Sequence, residues 1–220
     1  MLDDESLSLR GLTATAPPDE APLLLIACGA LAREVLALQR ANAWAGMALA
    51  CLPASLHNRP ERIPEAVRER IAAGRAQGYE EIFVLYADCG TGGLLDKVCA
   101  EEGVERVPGP HCYAFFDGNE AFATRAEDEI GTFYLTDFLA RQFDTLVWRG
   151  MGLDRHPELR DMYFAHYDKV VYLAQTDDPG LTALAEAGAA KLGLAFERRF
   201  TGYGELGGVL AGLAARRAPA

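Results

Sequence analysis

Three cysteines and a histidine stand where short apolar runs give way to turns. Cys28 follows the run Pro22–Ala27, Cys89 follows Ile82–Ala87 and precedes Gly90-Thr91-Gly92-Gly93, and His111-Cys112 follow Pro108-Gly109-Pro110. Thiolates with an imidazole suit zinc or another borderline-soft metal. Three protein ligands would leave an open catalytic position. Cys28, Cys89, His111 and Cys112 are therefore the candidate metal ligands. The same residues also suit metal-free catalysis, with Cys89 as thiolate nucleophile and His111 as its base. No C-x-x-C spacing of the zinc-finger kind occurs.

The surroundings of these residues read in two ways each. Gly90, Gly92 and Gly93 either let a ligand or cofactor approach the backbone or simply make a tight turn. Their N–H groups, at the start of a helical pattern, favour an anion or a thiolate. Asp88 either tunes the thiol and accepts from a ligand, or caps the helix. His57, past the second apolar run, supports a ligand from behind or caps a turn, and Arg59 is placed to face an anionic group or only water. The loop at Gly90, Gly92 and Gly93 has neither the G-x-G-x-x-G spacing nor a P-loop lysine, so a nucleotide site is not supported there.

Elements that could carry such a rim follow from the pattern. The runs Pro22–Ala27, Met47–Leu52, Ile82–Ala87 and Val170–Ala174 are apolar without alternation, as strands buried on both faces are. Gly103–Val107, Gly131–Leu135 and Phe196–Phe200 read as further strands. Between them lie helical patterns at Leu31–Arg40, Ile63–Ala76, Leu94–Glu102, Glu120–Ala126, Leu181–Leu192 and Leu206–Ala215. Ile63–Ala76 has Pro64 in its first turn and Gly78 past its end. The alternation predicts an α/β, Rossmann-like architecture: an open, mainly parallel sheet with helices on both faces. In such sheets ligands bind beyond the carboxyl ends of the strands, and that is where Cys28, His57, Cys89, His111 and Cys112 fall. Cys51, inside a strand, and Cys99, inside a helix, read as buried small hydrophobes.

Residues 1–20 read as a flexible acidic arm and 21–220 as one α/β domain, with possible sub-lobes at about 21–130 and 131–220. The glycine-broken segment from Trp148 to Pro157 is either a lid over the pocket, with Arg149, Asp154 or His156 reaching in, or a surface connection. Thr201–Glu205, with Tyr203 and Glu205, is a second turn of this kind.

A net charge of −11 argues against nucleic acid or an anionic membrane surface as partner. No apolar run approaches a membrane span. The start of the chain lacks the layout of a signal peptide. Five cysteines, an odd number, then point to free, metal-bound or catalytic thiols in a reducing cytoplasm.

The segments IACGALAREV, LPASLHNRPERIP, VLYADCGTGG, VPGPHCYAFFDG and TFYLTDFLARQFD resemble signature segments of the domain-of-unknown-function 1638 family. Relatives carry a glycine-cysteine-glycine turn where this chain reads Asp88-Cys89-Gly90-Thr91-Gly92. Many have histidine-aspartate-cysteine where it reads His111-Cys112-Tyr113, so the second thiol is shifted by one position. The matching positions are Cys28, His57, Cys89, His111 and Cys112. The resemblance implies a one-carbon setting, since such genes neighbour those of corrinoid-dependent methyl transfer and of methylamine or betaine metabolism. A methyltransferase or corrinoid protein is the implied partner, and a corrinoid an implied cofactor. The corrinoid-ligating D-x-H-x-x-G pattern is absent around His57, His111, His156 and His166.

Overall fold

Two parallel sheets, each flanked by helices, are built from the apolar runs in a computed structural model that describes residues 2–216. Contacts divide the chain into two units, residues 2–112 with 206–216, and residues 113–205.

In the first unit the order is α1 (Asp4–Leu9), β1 (Leu23–Cys28), α2 (Ala32–Ala41), β2 (Met47–Leu52), α3 (Ile63–Ala76), β3 (Glu81–Leu85), α4 (Leu94–Glu102) and β4 (Glu105–Arg106). Every residue of β1 and β2 is buried, the reason their sequences show no alternation. All strands are parallel, in the order β2-β1-β3-β4. From β1 the chain steps one way to β2, then crosses back over β1 to reach β3. With right-handed crossovers these opposite steps put α2 and α3 on opposite faces. The connections leaving β1 and β3 therefore diverge, which makes the gap beyond their carboxyl ends a topological switch point. Gly74 lets α3 lie close on one face: a Cβ there would meet the side chains of Leu24 at 2.6 Å and Ile82 at 3.3 Å. By strand alternation Ile26 and Cys28 share that face.

The first twenty residues do not form the flexible arm that their acidity suggests. The Asp3 carboxylate accepts from the amides of Glu5 and Ser6 and starts α1. Leu7 is buried, and Leu12 exchanges two 2.9 Å backbone hydrogen bonds with Cys51. The arm thus covers the open edge of β2, which would otherwise present unpaired backbone groups. Gly11, at φ +78°, permits the approach, because a Cβ there would stand 2.1 Å from the Cys51 carbonyl oxygen.

The second unit comprises α5 (Ala114–Asp117), α6 (Asn119–Arg125), β5 (Thr132–Thr136), α7 (Asp137–Arg141), a π-helical stretch Phe143–Trp148, α8 (Leu159–Tyr163), β6 (Lys169–Ala174), α9 (Pro179–Leu192) and β7 (Ala195–Phe200). Its strands are parallel in the order β5-β6-β7. The boundary between units falls after Cys112 rather than near residue 130. Tyr113 and Phe122 pack their rings on Tyr134 of β5, which ties α5 and α6 to this sheet. The last helix, α10 (Leu206–Ala215), returns to the first unit and packs on α2.

One face of the second sheet carries Leu135, Val170, Tyr172 and Ala174 against Ala185, Ala189 and Leu192 of α9. The residues around 148–157 belong to this core. Leu153 is fully buried, Trp148 and Met151 pack on the same cluster, and Lys191 lies over the Trp148 ring. Arg149 hydrogen-bonds Asp144 and Thr145, and His156 lies 3.3 Å from Glu158. These anchors tie the segment to residues of its own unit. In the Thr201–Glu205 turn, the Glu205 carboxylate accepts from the backbone and side-chain amides of Asn119 at the start of α6.

Candidate functional site

The rim of the first sheet is built by two segments that zip together. The Asp88 amide donates to the Gly109 carbonyl (3.0 Å) and the Cys89 amide to the Pro110 carbonyl (2.8 Å). Pro108 and Pro110 fix φ on either side of Gly109, whose φ of +118° bends the segment. Cys112 is thereby delivered to Cys89, with 3.2 Å between the two sulfur atoms. That is more than 1 Å longer than a disulfide bond and is a sulfur–sulfur hydrogen bond. Cys89 itself has φ +49°, in the left-handed region that non-glycine residues rarely adopt. Such strain persists where the surroundings over-determine it, typically at functional sites.

The glycine loop is spoken for from within the chain. Thr91 Oγ1 donates to the Asp88 carboxylate at 2.7 Å, and the Gly93 and Gly92 amides donate at 2.8 and 3.1 Å. Burial alone would raise the Asp88 carboxyl, but these hydrogen bonds outweigh it and hold the group below the ordinary carboxylate range. The carboxylate sits at the N-terminus of α4, favourable for an anion. Two of the glycine amides that could have served an external anion thus bind Asp88. Gly90 borders the connection after β2, where a Cβ would be 3.4 Å from Pro60.

The two sulfurs of the pair are electrostatically unequal. Hydrogen bonding from the Cys112 thiol lowers Cys89 first, burial opposes it, and the Cys112 amide adds to the lowering. Cys112 is raised well above the usual thiol value, by its bond to Cys89 and then by burial. Of the two sulfurs, Cys89 is therefore the one that ionises more readily. Burial chiefly pushes the Cys28 thiol up to about 11; a charge on Cys89 adds to this, while the Ala30 amide and the Tyr86 hydroxyl oppose it. All three thiols are free and buried, at 5 % exposure for Cys28, 3 % for Cys89 and 8 % for Cys112.

Both imidazoles are held below the ordinary histidine value. Burial lowers His111, with the Asp88 carboxylate partly opposing. His57 keeps open surface, and its lowered value reflects crowding first and the His111 ring second. The side-chain hydrogen bond of Cys89 goes to Cys112, where the sequence suggests His111 as its base. Arg59 is exposed, its amide closing the turn onto the Leu56 carbonyl. Cys51 and Cys99 are buried away from the rim, and burial raises both thiols. Among the described residues, no group of three or more His, Cys, Asp or Glu has the spacing to hold a metal ion.

Tyr86 is the site residue that the sequence does not announce. The β1–β3 register pairs Ala27 with Leu85, and continuing it by one residue sets Tyr86 beside Cys28. The ring is buried, and its hydroxyl makes no hydrogen bond of ordinary geometry with any described residue. Burial raises the hydroxyl, the charges of Cys28 and Cys112 raise it further, and its one polar side-chain neighbour is the Cys28 thiol, a weak hydrogen-bonding partner. The available signal is the alternation of β3, which puts a tyrosine on the same face as Val84 at the end of an apolar run.

Fold and site define a parallel α/β protein with a buried thiol pair at the switch point of its first sheet. The chain belongs to the family described as protein of unknown function (DUF1638), whose profile matches residues 51–210. Cys51, His57, Cys89, His111 and Cys112 lie inside the matched region, and Cys28 before it. No curated protein and no solved structure matches the chain.

Proposed function

We propose that the protein acts through thiol–disulfide chemistry at the Cys89–Cys112 pair. The observation that carries this reading is the 3.2 Å sulfur–sulfur contact between a lowered and a raised thiol. The Cys89 thiolate attacks one sulfur of a small disulfide, whose S–S bond breaks to release a thiolate. Cys112 then loses its proton and attacks the Cys89 sulfur, forming the internal disulfide and releasing the second thiolate. The protein thiols are oxidised by two electrons and the small disulfide is reduced to two thiols. Burial limits the partner to a small molecule. Treatment with 2,2′-dipyridyl disulfide followed by peptide mapping tests the reading: a Cys89–Cys112 crosslink is expected, absent in Cys112→Ala. A stable single adduct on Cys89 beside a free Cys112 would overturn it.

The third thiol, on the neighbouring strand, favours a second reading. Here Cys28, Cys89, Cys112 and His111 share zinc or another soft cation. Thiolates on a tetrahedral zinc with bonds of ~2.3 Å stand ~3.8 Å apart, so the pair would open by about 0.6 Å. Elemental analysis of untagged protein, with Cys89→Ser as control, separates the readings; no stoichiometric metal sets this one aside. A place beside a corrinoid-dependent methyltransferase rests on family resemblance alone. Spectral titration with cobalamin tests it, and an unshifted spectrum counts against direct binding.

A further inference from the structure

A buried hydroxyl without a partner is rare, because its desolvation goes uncompensated. The Tyr86 hydroxyl comes close to that state: it makes no hydrogen bond of ordinary geometry and has only the weakly accepting Cys28 thiol beside it. The neighbouring backbone and carboxylate groups are satisfied: Asp88 is filled by Thr91, Gly92 and Gly93, and the Asp88 and Cys89 amides are taken by Gly109 and Pro110. The thiol pair is satisfied within itself. Thiol–disulfide exchange at Cys89 and Cys112 thus uses neither the Tyr86 hydroxyl nor Cys28 beside it.

Resting on the thiol–disulfide reading, we infer that Tyr86 is a binding residue for the small reactant, donating its hydroxyl hydrogen to an oxygen one or two bonds from the reacting sulfur. The hydroxyl is aimed at the thiols from the strand next to β1, on the face that Cys28 shares. An incoming sulfur at Cys89 would bring its own substituent towards that hydroxyl. The Cys89 thiolate and the Asp88 carboxylate make the surroundings negative, so a carboxylate oxygen would be repelled. A neutral hydroxyl or carbonyl oxygen fits. The burial of all three thiols excludes a bulky substituent and restricts the reactant to a short chain. The chemical class is therefore a small, neutral, oxygen-bearing thiol or its disulfide.

The test compares 2-hydroxyethyl disulfide with diethyl disulfide, which lacks the oxygen. In either case the Cys89 thiolate forms the mixed disulfide and the probe's S–S bond breaks, releasing the matching thiolate. Rates are normalised to those of free cysteine. The wild-type hydroxyethyl-to-ethyl ratio should exceed one, and Tyr86→Phe should reduce it about fivefold, the effect of one neutral hydrogen bond. A hydroxyl satisfied only by a buried water would leave the ratio unchanged in the variant, and that result overturns the proposal. Should Tyr86→Phe fail to fold, a wild-type ratio of one overturns it equally. Failure of the thiol–disulfide reading shows separately, as a stable Cys89 adduct with no Cys89–Cys112 crosslink from either probe.

Discussion

Asp88→Asn separates the two things Asp88 does, because they point in opposite directions. The carboxylate accepts from Thr91, Gly93 and Gly92 at 2.7, 2.8 and 3.1 Å and thereby fixes the loop that holds Cys89 at φ +49°. Its charge meanwhile opposes the Cys89 thiolate. In the variant one oxygen becomes an amide nitrogen, so a donor faces the Gly92 amide and a charge-assisted bond is lost. Such a bond is worth about 1.5–3 kcal/mol. Gly92 and Gly93 are exposed, so water recovers part, and a net loss of about 2 kcal/mol in unfolding free energy is expected. Urea denaturation measures this. The charge effect is read by the pH dependence of Cys89 alkylation with iodoacetamide, which should move to lower pH as the opposing carboxylate disappears. Unchanged stability would refute the role of Asp88 in holding the loop. An alkylation profile moved to higher pH would refute the charge argument, making Asp88 a support of the thiolate through geometry instead.

Two further perturbations test the frame. Gly29→Ala would place a Cβ 2.3 Å from the Leu7 carbonyl oxygen, backbone against backbone, so α1 must shift; about 2 kcal/mol of destabilisation by urea titration is expected, and a neutral effect would mean the arm is not packed there. Glu129 is held at about 2 because bonds from Arg199 (2.5 Å) and Tyr134 (2.5 Å) outweigh its burial. A depressed carboxylate stabilises the fold above its ordinary value near 4.5 and loses that contribution as pH falls towards 2. The shift corresponds to about 3 kcal/mol, reduced by screening near the surface to about 1–2 kcal/mol. Glu129→Gln should lose that amount at pH 7 and show a shallower stability decline between pH 4.5 and 2. An unaltered acid limb would count against the network.

The sheets were legible because parallel strands buried on both faces read as unbroken apolar runs, as in PLLLIA and MALACL. The address of the thiols at strand ends followed from the same runs. What stayed hidden depends on contacts between segments distant in sequence. Nothing in Asp88-Cys89-Gly90 tells that Asp88 takes the glycine amides, or that Cys112, 23 positions on, sets its sulfur 3.2 Å from that of Cys89. The N-terminal arm read as solvated because Asp3, Asp4 and Glu5 dominate its composition, yet they start a helix whose Leu7 is buried. Tyr86 ends an apolar run and reads as core until the register sets it beside Cys28.

The two sheets also explain why the thiols sit in one unit and not in both. The order β2-β1-β3-β4 reverses direction at β1, so the connections after β1 and β3 part and leave a gap for Cys28, Cys89 and Cys112. In β5-β6-β7 both steps run the same way, α7 and α9 pack together on one face, and no switch point arises. The rim of that sheet is instead closed by its own residues. The buried Asp137 carboxylate accepts from the Tyr172 hydroxyl (2.7 Å), the Gln175 and Thr176 amides (2.9 and 3.1 Å) and the Thr176 hydroxyl (2.6 Å). Its own amide donates to Gln175 at 2.7 Å. A carboxylate so filled has no acceptor capacity to offer a ligand, whereas the first rim keeps a thiol on a strained backbone and a hydroxyl with no hydrogen bond of ordinary geometry. Topology opens one rim, and hydrogen bonding latches the other.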